Sequence, residues 1–334
     1  MNWNDKNVLI TGTSGFVGSY LAEELIRRGA NVYGTNRRRA DGTKPKNLVD
    51  RGIIGEVNLI EGDLTDITSL AQALDISQPD YLFHLAAQSF VPRSFIYPLD
   101  TAEVNFIGTM NLLEASRLKE FNPTIIFAGT SEEYGLTIYS EVQYERVLRK
   151  YEKIFPEPSK IPELPIKETN PLRPMSPYAM TKVCGDHLMR NYFNSYGMKT
   201  IVSRGFNTEG AGRGIMFVTS VITNQITKLK FGEVDRITIG NVNTFRDWSH
   251  VKDIINGYLL LAEKGRNGEV YNQGSQRVNS ILSYILLSLE EAGYEVNKIE
   301  SINNKKCVKR PTERDHSKTF GTSFEKTLVD KMLL

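Results

Sequence analysis

Cysteine is scarce in this chain: Cys184 and Cys307 are the only two in 334 residues. They cannot build a disulfide framework or a zinc-ligand cluster, and such usage suits a reducing cytoplasm. Histidine is also thin, and His84, His187, His250 and His316 share no metal-ligand spacing, so no metal is expected and each reads as structural. No apolar run reaches membrane-spanning length and the N-terminus has no signal-peptide core, so the expected location is cytoplasmic, with no membrane partner. An excess of one charge is missing too. The 41 Lys and Arg face 39 Asp and Glu, a net charge of +2 that supplies no general field for nucleic acid. No internal repeat or low-complexity tract is present.

What is there is glycine in register. The apolar run Val8-Leu9-Ile10 leads into Thr11-Gly12-Thr13-Ser14-Gly15-Phe16-Val17-Gly18, and Val17, Leu21 and Leu25 then recur at helical spacing. Strand, glycine turn and helix form the setting of a dinucleotide-binding fingerprint, here spaced G-x-x-G-x-x-G. Gly12 permits the tight turn, Gly15 admits a pyrophosphate to the helix N-terminus, and Gly18 lets helix and strand pack closely. The second strand, Asn31 to Thr35, ends in Asn36-Arg37-Arg38-Arg39 rather than in the acid that would bind a ribose 2′-hydroxyl. Guanidinium groups suit a 2′-phosphate, so NADP is favoured and NAD is the alternative. Asp63 stands at the end of the third strand, where it can accept from an adenine amine or cap a helix. Phe16, Val17, Leu64, Leu85, Ala86 and Ala87 flank these turns and complete the candidate cofactor-binding set with Tyr178 and Lys182.

Tyr178 and Lys182 are one helical turn apart, so both leave the same helix face. An ammonium beside a phenol favours the phenolate, and such a Tyr can take a proton from a hydroxyl while a hydride leaves the carbon. The strand Thr124 to Gly129 runs into Thr130-Ser131-Glu132. Alternation along that exit places Thr130 and Glu132 on one side, the hydroxyl to hold a substrate oxygen and the carboxylate to remove a carbon-bound proton. Residues 137 to 165 read as an insertion. Tyr144, Val147, Leu148, Tyr151 and Phe155 predict an amphipathic helix, ended by a proline-rich stretch, that acts as a lid, a packing element or a subunit contact. Further on, Arg246 can clamp a diphosphate or pair with Asp247 or Asp253.

The alternation of strands and helices predicts an α/β chain. Its larger part is a Rossmann doubly wound parallel sheet over 1–204, joined by about 239–264. A smaller mixed α/β domain, made of 205–238 and 265–334, is expected to bind substrate.

The motifs TGTSGFVG, HLAAQS, GTSEEYG, YAMTK, RGFNTEG, FRDWSHVKD and KRPTE run from Thr11 to Glu313. Together they resemble the extended short-chain dehydrogenase/reductase family that acts on nucleotide sugars, and within it the GDP-mannose 4,6-dehydratases. The resemblance implies a nucleotide-sugar substrate, a GDP-sugar in particular, and a homodimer or homotetramer. It implies that Thr130, Tyr178 and Lys182 act on the C4 hydroxyl and Glu132 on the C5 proton. It also implies that Ser89, Asn207, Arg246, Arg310 and Glu313 contact the substrate. A 4-reductase or a 4-epimerase on the same fold is the alternative. The chain departs from the dehydratase pattern at Ser220-Val221, where that group has a basic pair, and in the 137 to 165 insert.

Overall fold

The computed structural model describes residues 3–38, 40–294, 299–302 and 305–309. In chain order, the first part contains β1 (Asn7–Thr11), α1 (Phe16–Arg27), β2 (Asn31–Asn36), α2 (Lys46–Asp50), β3 (Asn58–Glu61), α3 (Ile67–Ser77) and β4 (Tyr81–His84). Then come α4 (Val91–Ile96), α5 (Pro98–Ala102), a π-helical turn at Glu103–Ile107, α6 (Gly108–Leu118), β5 (Thr124–Thr130) and a 3-10 turn at Ser131–Glu133. They are followed by α7 (Glu141–Tyr151), α8 (Pro177–Tyr196), β6 (Thr200–Gly205), β7 (Asn207–Glu209), α9 (Val218–Lys230), β8 (Arg236–Ile239), β9 (Phe245–His250) and α10 (Val251–Lys264). The remaining elements are β10 (Val270–Gln273), β11 (Val278–Ser280), α11 (Ile281–Glu291), β12 (Ile299–Ile302) and β13 (Lys305–Lys309).

Seven parallel strands form the main sheet in the order β10-β6-β5-β4-β1-β2-β3. Alternation explains why helices cover both faces. Val8 and Ile10 point into one core with Leu21, Leu25, Ile254 and Tyr258. Leu9 points into the other with Leu70, Leu74, Leu112 and Met189. From β1 the chain builds outward through β2 and β3, then returns to place β4 on the other side of β1. Such a reversal opens a crevice at the strand ends, where ligands of this architecture bind.

The chain divides into two units, Met1–Gly212 with Ser249–Gly274, and Arg213–Trp248 with the residues from Ser275 on. These divisions fall about ten residues later than the sequence pattern placed them, and at the last of them β10 completes the parallel sheet instead of opening the second unit. In the second unit, α9 and α11 pack Ile222, Ile226, Leu229, Ile281 and Ile285 against Ile237 and Ile239 of β8. There β11 pairs antiparallel with β9, and β13 lies antiparallel between β12 and β8.

Two local expectations are corrected. The amphipathic helix ends at Tyr151, where Glu152 adopts φ 62°, so Phe155 is not on its stripe and is 89% exposed. Its apolar face does form a small core, with Ile138, Val147 and Ile154 buried. The N-cap of α3 is Asp66, which accepts from Thr68 N–H at 2.9 Å. Asp63 turns back locally and accepts from the Thr65 N–H and hydroxyl at 2.9 and 2.8 Å.

Candidate active site

The first half of the site is a cradle at the sheet reversal. Gly12 has φ +75°, and a Cβ there would sit 2.8 Å from the Ala86 backbone nitrogen at the end of β4. A Cβ on Gly18 would meet the Gly12 carbonyl oxygen at 2.3 Å, and one on Gly15 would meet it at 3.1 Å. Only glycine fits positions 12 and 18, and what it leaves is backbone open to a close-lying ligand. Gly15 caps α1 with no side-chain hydrogen bond, and the first turn carries no acid. Free N–H groups and the positive end of the helix dipole suit a phosphate group there. Leu85 and Ala86 are fixed by the Thr11 hydroxyl, which accepts both backbone N–H groups at 3.2 Å. Arg37 and Arg38 follow β2 and are exposed, while Asn36 is half-buried. These residues fit a dinucleotide.

The second half sits on β5 and α8. Ser176 caps α8 by accepting the Ala179 N–H at 3.0 Å, which sets the helix start and puts Tyr178 and Lys182 in the first turns. The Thr130 hydroxyl lies beside the Tyr178 phenol, close enough to lower its pKa. It also accepts the Glu132 N–H at 3.2 Å. Glu132 lies on the 3-10 turn rather than on the strand, so it is the turn, not strand alternation, that places it. Its carboxylate is exposed, and it acts electrostatically on Tyr178.

The net shift of Tyr178 runs upward, opposite to the one the spacing suggested. The Lys182 ammonium donates to the Ala128 carbonyl at 2.7 Å and lies 4.7 Å from the centre of the Phe127 ring. Burial pushes the Tyr178 phenol well above its ordinary value; the Thr130 hydroxyl pulls it back, and Glu133, Glu132 and Tyr258 raise it further. Burial brings Lys182 down to about 8, against an upward pull from Glu133. His84 is structural as expected: its ring nitrogens meet the Thr11 and Thr109 hydroxyls at 2.8 and 3.0 Å, and burial lowers it to about 3.

The family to which this geometry belongs follows from comparison. The NAD dependent epimerase/dehydratase family matches residues 8–274. The chain belongs to that family. It is 34% identical over 297 residues to a GDP-mannose 4,6-dehydratase of Yersinia enterocolitica, covering 87% of this chain and 73% of the relative. Among solved structures it is 28% identical, with a TM-score of 0.68, to RMD from Pseudomonas aeruginosa complexed with NADPH, covering 87% and 85% of the two chains. It is also 28% identical, with a TM-score of 0.69, to the UDP-glucose 4-epimerase of Thermotoga maritima with UDP-glucose, covering 86% and 83%.

Several residues that shape this epimerase/dehydratase site carry no motif of their own. Asn105 sits in the π-helical turn and is buried. Its amide accepts the Gln88 N–H at 2.8 Å and donates to the Gln88 carbonyl and the Thr181 hydroxyl, each at 3.0 Å, tying the β4 exit to α8. Glu133, Asp186 and Arg204 form a buried ionic cluster under β5. Glu133 lies inside the run GTSEEYG, which gives no sign of its burial or of its distant partners. Of the expected substrate contacts, Ser89 is exposed after β4 and Asn207 is half-buried on β7, both in the first unit. Arg246 belongs to the second unit, where its exposed guanidinium donates to the Phe245 carbonyl at 2.8 Å. Asp247 instead accepts from Ser275 and Gln276. Arg310 and Glu313 lie outside the described residues. Among the described residues no His, Cys, Asp and Glu group could hold a metal, and no helix is long and apolar enough to cross a membrane.

Proposed function

We propose that the protein is an NADP-dependent nucleotide-sugar 4,6-dehydratase, a lyase that takes a GDP-hexose. The observation that carries this reading is the meeting of three groups in one unit: the Thr130 hydroxyl beside the Tyr178 phenol, with the exposed Glu132 on the same turn, its backbone N–H held by the Thr130 hydroxyl. Tyr178 takes the proton from the C4 hydroxyl, and Thr130 orients that oxygen. A 4-ketone acidifies the C5 proton, Glu132 removes it, and the C6 hydroxyl leaves as water. When bound, the nicotinamide cofactor would supply the acceptor for the C4 hydride and its return to C6, with a proton going back to C5 from Glu132, so the reaction has no net redox change. Lys182, already bonded to Ala128, supplies positive charge beside the phenol and a contact for the cofactor ribose.

Gly12, Gly15, Phe16, Val17 and Gly18 would hold the pyrophosphate, with Asp63, Leu64, Leu85, Ala86 and Ala87 along the adenine and nicotinamide halves. The exposed Arg37 and Arg38, following a second strand that ends in Asn36 rather than in an acid, support a 2′-phosphate. Ser89 and Asn207 would meet the nucleotide sugar from the first unit. The likeness to a Yersinia GDP-mannose dehydratase supports the GDP-sugar. Phe95, Ile96, Tyr97 and Leu99 on α4 and α5 are 53–84% exposed, which supports a homo-oligomer. A 4-reductase or 4-epimerase is the second reading, favoured by the likeness to an epimerase that holds UDP-glucose. Incubation with GDP-, UDP-, dTDP- and CDP-sugars, read by mass spectrometry, decides between them. Loss of 18 mass units, the ~18 Da of water, from one of these sugars is expected, and an isomer or a reduced product instead overturns the dehydratase reading.

A further inference from the structure

The turn that carries Thr130 and Glu132 is held from beneath by Glu133, whose side chain is fully buried. One of its carboxylate oxygens accepts the Thr130 backbone N–H at 2.7 Å and the other accepts Arg204 Nε at 3.2 Å. The Thr130 hydroxyl bonds within the same turn, so cap and capped residue hold each other. Gly129 makes the space: a Cβ there would sit 2.6 Å from Glu133 Oε1 and 3.0 Å from the Ser203 carbonyl oxygen. Arg204 is shared with Asp186 of α8 at 2.9 Å, and with the Tyr134 hydroxyl and the Glu168 carbonyl at 3.0 Å each. Asp186 is also paired with Arg190, and it shares its helix with Tyr178 and Lys182.

A buried acid is costly where an apolar side chain would fill the same volume. Here the carboxylate adds two things an apolar group lacks: one oxygen aimed at the Thr130 backbone N–H and the other at the Arg204 guanidinium. We propose that Glu133, one residue beyond the acid singled out by the motif, is a positioning residue for the reaction, fixing Thr130 and the turn of Glu132 against the Tyr178 helix through Arg204 and Asp186.

This proposal rests on the dehydratase reading for its kinetic part only. The charged and titratable groups around Glu133 are Lys182, Asp186 and Tyr178 on α8, Arg204 on β6 and Glu132 in its own turn, while His84 of β4 faces Lys182 as a neutral ring. Burial and the Asp186 charge push the Glu133 carboxyl up to about 8, against the Thr130 N–H, Arg204 and Lys182, so its negative charge, which raises Lys182 and Tyr178, acts on the alkaline side; removing it lets both lose protons at lower pH there.

The test compares Glu133→Gln and Glu133→Ala with wild type in the full-length protein. Exchange of the Thr130 amide is measured without substrate, and kcat, KM and the pH profile are measured with it. Glutamine keeps the acceptor and removes the charge. The Thr130 amide should then stay protected and KM should hold within about twofold, while kcat falls about tenfold and the pH profile moves to lower pH. Alanine removes both, so the Thr130 amide should also lose protection and kcat should fall about 10²-fold. A Gln variant with wild-type kcat and pH profile overturns the proposal, as does an Ala variant whose Thr130 amide exchanges as slowly as wild type. If wild type turns over no nucleotide sugar, the dehydratase reading falls, and the amide exchange alone still decides whether Glu133 holds Thr130.

Discussion

Glu163→Ala should release the insert between β5 and α8. Glu163 and Arg173 are 2% and 5% exposed. Two guanidinium nitrogens reach the two carboxylate oxygens at 2.8 Å each, and the Ile138 N–H donates to the same carboxylate at 2.6 Å. Glu163 thus joins the start of the insert to its return at Arg173, whose carbonyl accepts the Leu136 N–H at 3.0 Å. Removing one partner of a buried pair costs about 3–5 kcal/mol, most of it from the charge left behind. Arg173 would still donate to the Leu136 and Pro156 carbonyls, at 2.9 and 2.6 Å. That retention places the loss at the lower end, about 3 kcal/mol. Urea unfolding gives the total, and amide exchange over residues 137–165 locates it. A cost below about 1 kcal/mol, the range of a surface pair, would refute the clasp. Acid should act the same way. Burial raises the Glu163 carboxyl, but the Arg173 and Ile138 hydrogen bonds and the Arg173 charge outweigh it and hold the group below its ordinary value. A depressed carboxyl contributes stability that is present above its unfolded pKa and lost as pH falls through the folded one. Wild type should therefore lose protection over the insert on acidification, and Glu163→Ala should lack that component.

Three further outcomes are expected. Tyr178→Phe should bind cofactor normally and lose turnover by at least about 10²-fold, since only the hydroxyl is removed; near-normal turnover would exclude Tyr178 as the base. Replacing Arg37 and Arg38 together with Ala should weaken NADP binding far more than NAD binding by calorimetry, and equal weakening would mean that they do not read a 2′-phosphate. Glu132→Gln should stop solvent deuterium entering C5 and stall water loss, with the fold kept because the change is nearly isosteric; wild-type elimination would take the C5 base away from this residue.

The strand–glycine–helix cradle and the pairing of Tyr178 with Lys182 were readable in the sequence because both are local: a turn that only Gly fits and a four-residue helical step depend on neighbouring residues. The parallel, two-faced sheet was readable for a similar reason, since runs such as Val8-Leu9-Ile10 send alternate side chains into opposite cores. What tertiary structure alone decided involves residues distant in sequence. Glu133 meets Arg204 71 positions away, and Asn105 reaches Thr181 across 76. Burial reversed the expected direction of the Tyr178 shift, because the one-turn spacing says nothing about the solvent that the surrounding strands and helices remove. Lys182 likewise found the Ala128 carbonyl, 54 positions back. Local sequence set which groups are present and how each turn is shaped; packing set which of them carry charge, what they touch, and which acid holds the site together.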